Sequence, residues 1–149
     1  MKQSSAKKMF DSMYLGKRIW EQQPQLPDGL TAGSIHILDR LDQLSHSQES
    51  VCVSDISAAM DLPRPGITKA VRELTEAGYI EKHADEKDGR VVHIALSEKG
   101  KKTVRTYVTD YFARVSDMLG DVSDEEIQAM SVVIDKIYSH LVMEKEEKR

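Results

Sequence analysis

Between Tyr79 and Leu96 the sequence reads YIEKHADEKDGRVVHIAL, and there the apolar pattern changes period. No other feature constrains the fold as much. Val92, Ile94 and Leu96 alternate with Val91, His93 and Ala95, the spacing of a strand with one buried face. Asp88-Gly89 is a favoured hairpin dipeptide, so two strands are expected around the charged turn DEKDGR. On either side of this stretch the apolar residues recur at helical spacing instead.

Just upstream, Ile56, Ala59 and Met60 define the inner face of a short helix capped by Cys52 or Ser54, with a very short strand at Val51–Val53 before it. "DLP" is a turn, and Ile67, Val71 and Leu74 then step by 4 and 3 along a further helix that ends near Gly78. Helix, tight turn, helix, hairpin is the order of a winged helix-turn-helix, whose second helix enters the DNA major groove.

The rest of the chain is helical. A first helix runs from about Ser4 to Glu21 with Met9, Phe10, Met13, Tyr14 and Trp20 as apolar anchors, and QQPQLPDG breaks it. Thr31 is the expected N-cap of a second helix carrying Ile37, Leu41 and Leu44. Ser97 opens a long helix to about Leu119, with Glu98 in its first turn. Gly120 and Ser123 precede a last helix started by Asp124, Glu125 and Glu126. Its seam of Ile127, Met130, Ile134, Ile137 and Leu141 steps by 3, 4, 3, 4. That seam suits packing on its own core or a subunit interface. The interface is preferred, with Phe10 and Met13 contributing, because apolar helices at both termini have little else to cover in a small domain.

The expected architecture is therefore mainly α with a small β-wing: six helices plus a two- to three-stranded hairpin. We expect one domain over 1–149, with dimerisation helices at 1–30 and 120–149. The winged lobe spans 31–100 and a connecting helix 97–119.

The fourth helix has a second face. Pro65, Lys69 and Arg72 lie opposite the apolar stripe with Thr68 on the flank, a set that can reach base edges and phosphates. An ordinary solvated face looks the same on many surface helices. Arg64 precedes a proline and is biased away from helical angles, so the helix is expected to start at Pro65 with Arg64 reaching outward. No capping side chain stands immediately before it, which leaves the amides of Gly66, Ile67 and Thr68 open to a phosphate, and Gly66 lets the backbone come close. At the hairpin tip Arg90 stands beside a Gly turn with Asp88 near enough to hold its guanidinium. An arginine on a narrow protrusion suits the minor groove.

These residues resemble the multiple-antibiotic-resistance-regulator (MarR) family of bacterial transcription factors. The likeness is carried by DISAAMDLPRPGITKAVRELTEAGYIEKHADEKDGRVVHIALSEKG, Asp55 to Gly100. Within it Asp88 and Arg90, then Leu96, Ser97 and Gly100, match the family's wing signature, and LTEAGYIEK resembles its helix-to-wing junction. The resemblance implies a homodimer joined by the terminal helices, gripping adjacent turns of double-stranded DNA. It implies that Arg90 enters the minor groove, that Asp88 orients it, and that the fourth helix reads the major groove. It also implies a repressor of a pseudopalindromic operator, released by a small aromatic or phenolic effector. Tyr14, Trp20, His36 and Arg40 are the candidates for lining an effector cavity, with core packing as the alternative for the aromatics. The family commonly has small hydroxylated residues where Pro63 and Gly66 stand.

The net charge of −4 argues against an indiscriminate polyanion binder. Asp61 to His93 carries six Lys or Arg against seven Asp or Glu, so any positive DNA-facing field must come from geometry. That balance keeps open a winged-helix module used for protein contact. The single Cys52 excludes an internal disulfide framework and fits a reducing compartment. Near a helix N-terminus it is also compatible with a redox-sensing regulator, or simply with a small apolar position. No apolar run reaches the roughly 18 residues of a membrane span, and no signal sequence opens the chain, so a cytoplasmic protein without membrane contact is expected. The five histidines are scattered and suggest no metal site or cofactor. Neither a nucleophile–base pair nor a phosphate-cradling loop stands out to suggest an enzyme.

Overall fold

The computed structural model describes residues 1–27 and 29–143, the side chains of 142 and 143 excepted. Residue 28 of the expected QQPQLPDG break and residues 144–149 of the expected terminal region lie outside that set. The chain divides into two compact units between Thr109 and Asp110.

The first unit holds α1 (Gln3–Trp20), α2 (Ala32–Ser47), α3 (Val53–Met60), α4 (Arg64–Glu76), β1 (Ile80–Ala84), β2 (Val92–Leu96) and α5 (Glu98–Val104), with a π-helical turn at Arg105–Thr109. Thr31 caps α2 as expected. Its Oγ1 accepts from Ser34 N–H at 3.1 Å, while Ser34 Oγ accepts from Thr31 N–H at 3.3 Å. Ile37 and Leu41 are buried, and so is Leu38, which is fully enclosed and which the i, i+4 pattern overlooked.

In α3 the Asp55 carboxylate accepts from Cys52 N–H at 2.7 Å, closing the helix start from inside its first turn. Ile56 is buried, with Val53 and Met60 packed beside it, but Ala59 faces solvent rather than the core. At 100° per residue the stripe formed by residues 53, 56 and 60 leaves position 59 about 90° from its centre. The expected strand at Val51–Val53 is reduced to one bridge, Ile94 N–H to Val51 O at 2.8 Å, because Val53 already belongs to α3. Asp61 then turns the chain in the left-handed region (φ 51°), which Asp tolerates better than most residues.

α4 buries Ile67, Val71 and Leu74, the stripe its spacing predicted. It ends in a paired closure around Gly78 (φ 81°). Gly78 N–H reaches Thr75 O at 3.0 Å and Tyr79 N–H reaches Leu74 O at 2.9 Å. β1 and β2 pair antiparallel from Ile80 opposite Leu96 to Ala84 opposite Val92, with Ile80, Ile94 and Leu96 buried. Between them runs a loop of residues 85–91, which contains the expected charged turn DEKDGR, and Gly89 in it is not left-handed. Asp85 and Asp88 shape it instead, by capping loop amides with their carboxylates. The core joins α2, α3, α4, the hairpin and Val104 of α5. By contrast α1 has no buried residue and shares no extended packing face with the other elements of its unit.

The second unit contains α6 (Asp110–Met118) and α7 (Asp124–Tyr138), followed by a π-helical turn at Ser139–Met143. Ser123 and Glu126 form a reciprocal cap at the start of α7, at 3.2 and 2.9 Å. Neither helix buries a residue. The expected helix from Ser97 to about Leu119 corresponds to α5, the π-helical turn and α6 in succession. Among the described residues no helix is long and apolar enough to cross a membrane.

Candidate nucleic-acid interface

The outward face of α4 is built as its wheel predicts. Arg64, Pro65, Thr68, Lys69 and Arg72 are all exposed and line one shallow concavity. Among the described residues, Lys69 and Arg72 each meet an i+4 carboxylate, Glu73 and Glu76, at 3.9 Å in solvent. Such contacts contribute little and leave both cations able to turn elsewhere.

The start of the helix differs from the expectation. α4 begins at Arg64, with Pro63 as N-cap and Pro65 at the second position. Pro65 is tolerated at that position because no intrahelical N–H is required there, and α4 includes Arg64 despite the pre-proline bias. The open amides shift accordingly. Ile67 N–H already reaches Pro63 O at 3.5 Å and Thr68 lies within the helical ladder. Among the described residues, the N–H groups of Arg64 and Gly66 have no acceptor. A Cβ on Gly66 would meet nothing within 4 Å, so the fold itself does not require glycine there.

At the hairpin tip the Arg90 side chain is 92% exposed. Among the described residues its partner is Asp88: Nε donates to Oδ1 at 3.1 Å, Nη2 to Oδ2 at 3.4 Å, and the Arg90 amide to Oδ1 at 3.0 Å. The guanidinium, and then the amide, hold the Asp88 carboxyl below its usual range. One carboxylate thus orients the arginine and leaves its outer edge free.

The joint behind both features is made by Ser97, Lys99 and Gly100. Ser97 Oγ accepts from Gly100 N–H at 3.0 Å and donates to Gly78 O at 2.6 Å, while Ser97 N–H reaches Tyr79 O at 3.0 Å. Lys99 Nζ donates to Ala77 O at 2.8 Å and sits 4.1 Å from the centre of the Tyr79 ring. The end of α4 is therefore tied to the start of α5, with the hairpin between them.

One constellation has no signature in the sequence. Cys52 Sγ lies 3.5 Å from His93 Nδ1, and His93 Nε2 lies 2.8 Å from Asp85 Oδ2. These residues are up to 41 apart in sequence, and no local pattern connects them.

The remaining candidates sit elsewhere. Phe10, Met13, Ile127, Met130, Ile134 and Leu141 are exposed and Ile137 half-buried. Tyr14 and Trp20 are exposed on α1 and His36 on α2, while Arg40 Nη1 donates to Gln43 Oε1 at 3.0 Å. α1 and α2 share no extended packing face.

Comparison with known proteins agrees with the winged helix fold. Residues 30–100 match a family model described as a winged helix DNA-binding domain. The transcriptional repressor MprA of Escherichia coli K12 is 26% identical over 97 residues, covering 65% of this chain and 55% of MprA. The chain thus spans about half the length of the curated relatives it matches. FabT of Streptococcus pneumoniae, solved in complex with DNA, superposes with a TM-score of 0.60 at 23% identity, covering 93% of each chain. The S. aureus MepR–DNA complex gives 0.59 at 23% identity, covering 95% of this chain and 99% of MepR.

Proposed function

We propose that this chain, whose residues 30–100 match a winged helix DNA-binding domain and resemble the MarR family, is a homodimeric transcriptional repressor that reads a pseudopalindromic operator. One observation carries this reading. The fold leaves two cationic features exposed, the Arg64–Thr68–Lys69–Arg72 face of α4 and Arg90 on the hairpin, and joins the elements that bear them through one tight hydrogen-bonded corner. In this reading α4 enters the major groove with Pro65 and Gly66 near the backbone, and Arg90, oriented by Asp88, enters the minor groove.

Dimerisation is supported by the apolar side chains that α1 and α7 leave in water, notably Phe10, Met13, Ile127, Met130, Ile134 and Leu141, with Ile137 half-covered. In this assignment 1–30 and 120–149 make the dimer, 31–100 reads DNA, and 97–119 connects them. From the family resemblance we carry over release by a small aromatic or phenolic effector, with Tyr14, Trp20, His36 and Arg40 as its candidate contacts. The near-neutral lobe implies weak non-specific binding and a large dependence on correct contacts.

Selection of bound duplexes from a random library tests the proposal. The expected result is a two-fold symmetric motif with half-sites about 10 bp apart and affinity falling steeply with salt. An asymmetric motif would overturn the dimeric reader. No enrichment at low salt would overturn DNA reading altogether.

A further inference from the structure

The loop that carries Arg90 is held by a side chain outside every candidate contact. Asp85 opens the loop and works with both carboxylate oxygens. Oδ1 accepts from Lys87 N–H at 2.8 Å and Asp88 N–H at 2.9 Å, and Oδ2 meets His93 Nε2 at 2.8 Å. Asp88 N–H, fixed in this way, belongs to the residue whose carboxylate holds Arg90. Asp85 N–H to Val91 O and Val91 N–H to Asp88 O close the loop across its mouth. On the far side, the His93 ring meets Cys52 Sγ at 3.5 Å, and the Cys52 amide is bound by Asp55 of α3. A chain of contacts therefore runs from the first helix of the helix-turn-helix pair to the tip of the wing.

We infer that His93 is a positioning residue for Arg90: by holding Asp85, it fixes the loop shape that presents the arginine to DNA. The inference rests on the proposed reading of Arg90 as a DNA contact. His93 itself is only partly exposed and stands on the strand, so it reaches no DNA in this reading; its effect passes through the loop. Its cross-strand partner His83 is turned toward Glu81 at 3.7 Å and does not replace it. The two ring nitrogens of His93 thus face different partners, Nε2 the Asp85 carboxylate and Nδ1 the Cys52 sulfur.

A double-mutant cycle on the full chain with the selected operator tests this. His93→Leu is expected to weaken binding about tenfold in the wild-type background and by less than about twofold in an Arg90→Ala background. Asp85→Asn, which breaks the chain of contacts at its other end, should show the same dependence on Arg90. His93→Gln, whose amide can donate to Asp85 where Nε2 did, should restore most of the affinity. Equal losses in both backgrounds would mean a general structural role and overturn the inference, as would a His93→Leu protein with wild-type affinity. If Arg90→Ala itself binds like wild type, the Arg90 reading falls and takes this inference with it. A normal loss for Arg90→Ala beside silent His93 and Asp85 variants sinks the inference alone. Should His93→Leu fail to fold, Asp85→Asn in the two backgrounds supplies the same discrimination.

Discussion

Gly100 lies so close to the backbone carbonyl of Tyr79 that a Cβ added to it would collide with that oxygen, and would also crowd Leu96 Cδ2 at 3.2 Å. The carbonyl that excludes the side chain is the one that accepts from Ser97 N–H, so neither partner can retreat without breaking the corner between hairpin and α5. Glycine is required here by close approach and not by its dihedral angles. Gly100→Ala is expected to destabilise the first unit by at least about 1–3 kcal/mol, the usual cost of overpacking a tight site. Urea unfolding followed by circular dichroism measures this; an unchanged midpoint would show that the corner relaxes freely.

Ser97→Ala removes the acceptor for Gly100 N–H and the donor to Gly78 O from a buried site. Loss of an N-cap costs about 0.5–2 kcal/mol, and the stranded carbonyl adds to it. Thermal melting should show Ser97→Ala clearly below a Ser54→Ala control, whose site is exposed. Equal melting temperatures would contradict the joint described above.

Arg90→Ala separates folding from binding. Its side chain pairs with Asp88 and lies in water, so stability should stay within about 0.5 kcal/mol of wild type. Operator affinity should fall by about 1–3 kcal/mol per site. Chemical denaturation and a binding titration on one preparation check both halves. A large stability loss would show that the arginine serves the fold.

Gly66 offers the opposite contrast to Gly100. With nothing near its missing Cβ and a helical backbone, Gly66→Ala should fold as stably as wild type or gain up to about 0.5–1 kcal/mol. If the backbone at Gly66 approaches a phosphate, Gly66→Val should nevertheless lose operator affinity. Normal binding by Gly66→Val would count against that close approach.

The wing loop also makes a pH prediction. The His93 hydrogen bond, followed by the amides of Asp88 and Lys87, lowers the Asp85 carboxyl from 3.8 to about 2. A carboxyl with a folded pKa below its unfolded one favours folding when ionised. Its contribution is therefore present above pH 3.8 and is lost as the pH falls through about 2. Carboxyl titration by NMR should place Asp85 well below an ordinary aspartate, and His93→Leu should move it back toward 3.8. An ordinary value in the wild type would show that the His93–Asp85 contact does not persist in solution.

The sequence by itself determined whatever is encoded within about one helical turn or one strand repeat. The two faces of α4 followed from 3.6-residue spacing, the wing from alternation between Val91 and Leu96, and the caps at Thr31, Ser97 and Ser123 from residue type before an apolar run. The pairing of Asp88 with Arg90 was legible for the same reason, since two residues on one turn cannot avoid each other.

Only the tertiary structure decided what depends on segments meeting in space. The core side of α3 was set by the neighbours it packs on, which turned Ala59 outward. The start of α4 moved to Arg64 because Pro63 closes the preceding turn. The contacts that hold the wing loop were invisible in the sequence, because Asp85 met His93, and His93 met Cys52, across 8 and 41 positions. Gly100 had to be glycine because Tyr79, on the far side of the hairpin, presents its carbonyl there. Periodicity records which face of an element is apolar; it carries no information on which distant atom that face, or a side chain beside it, will touch.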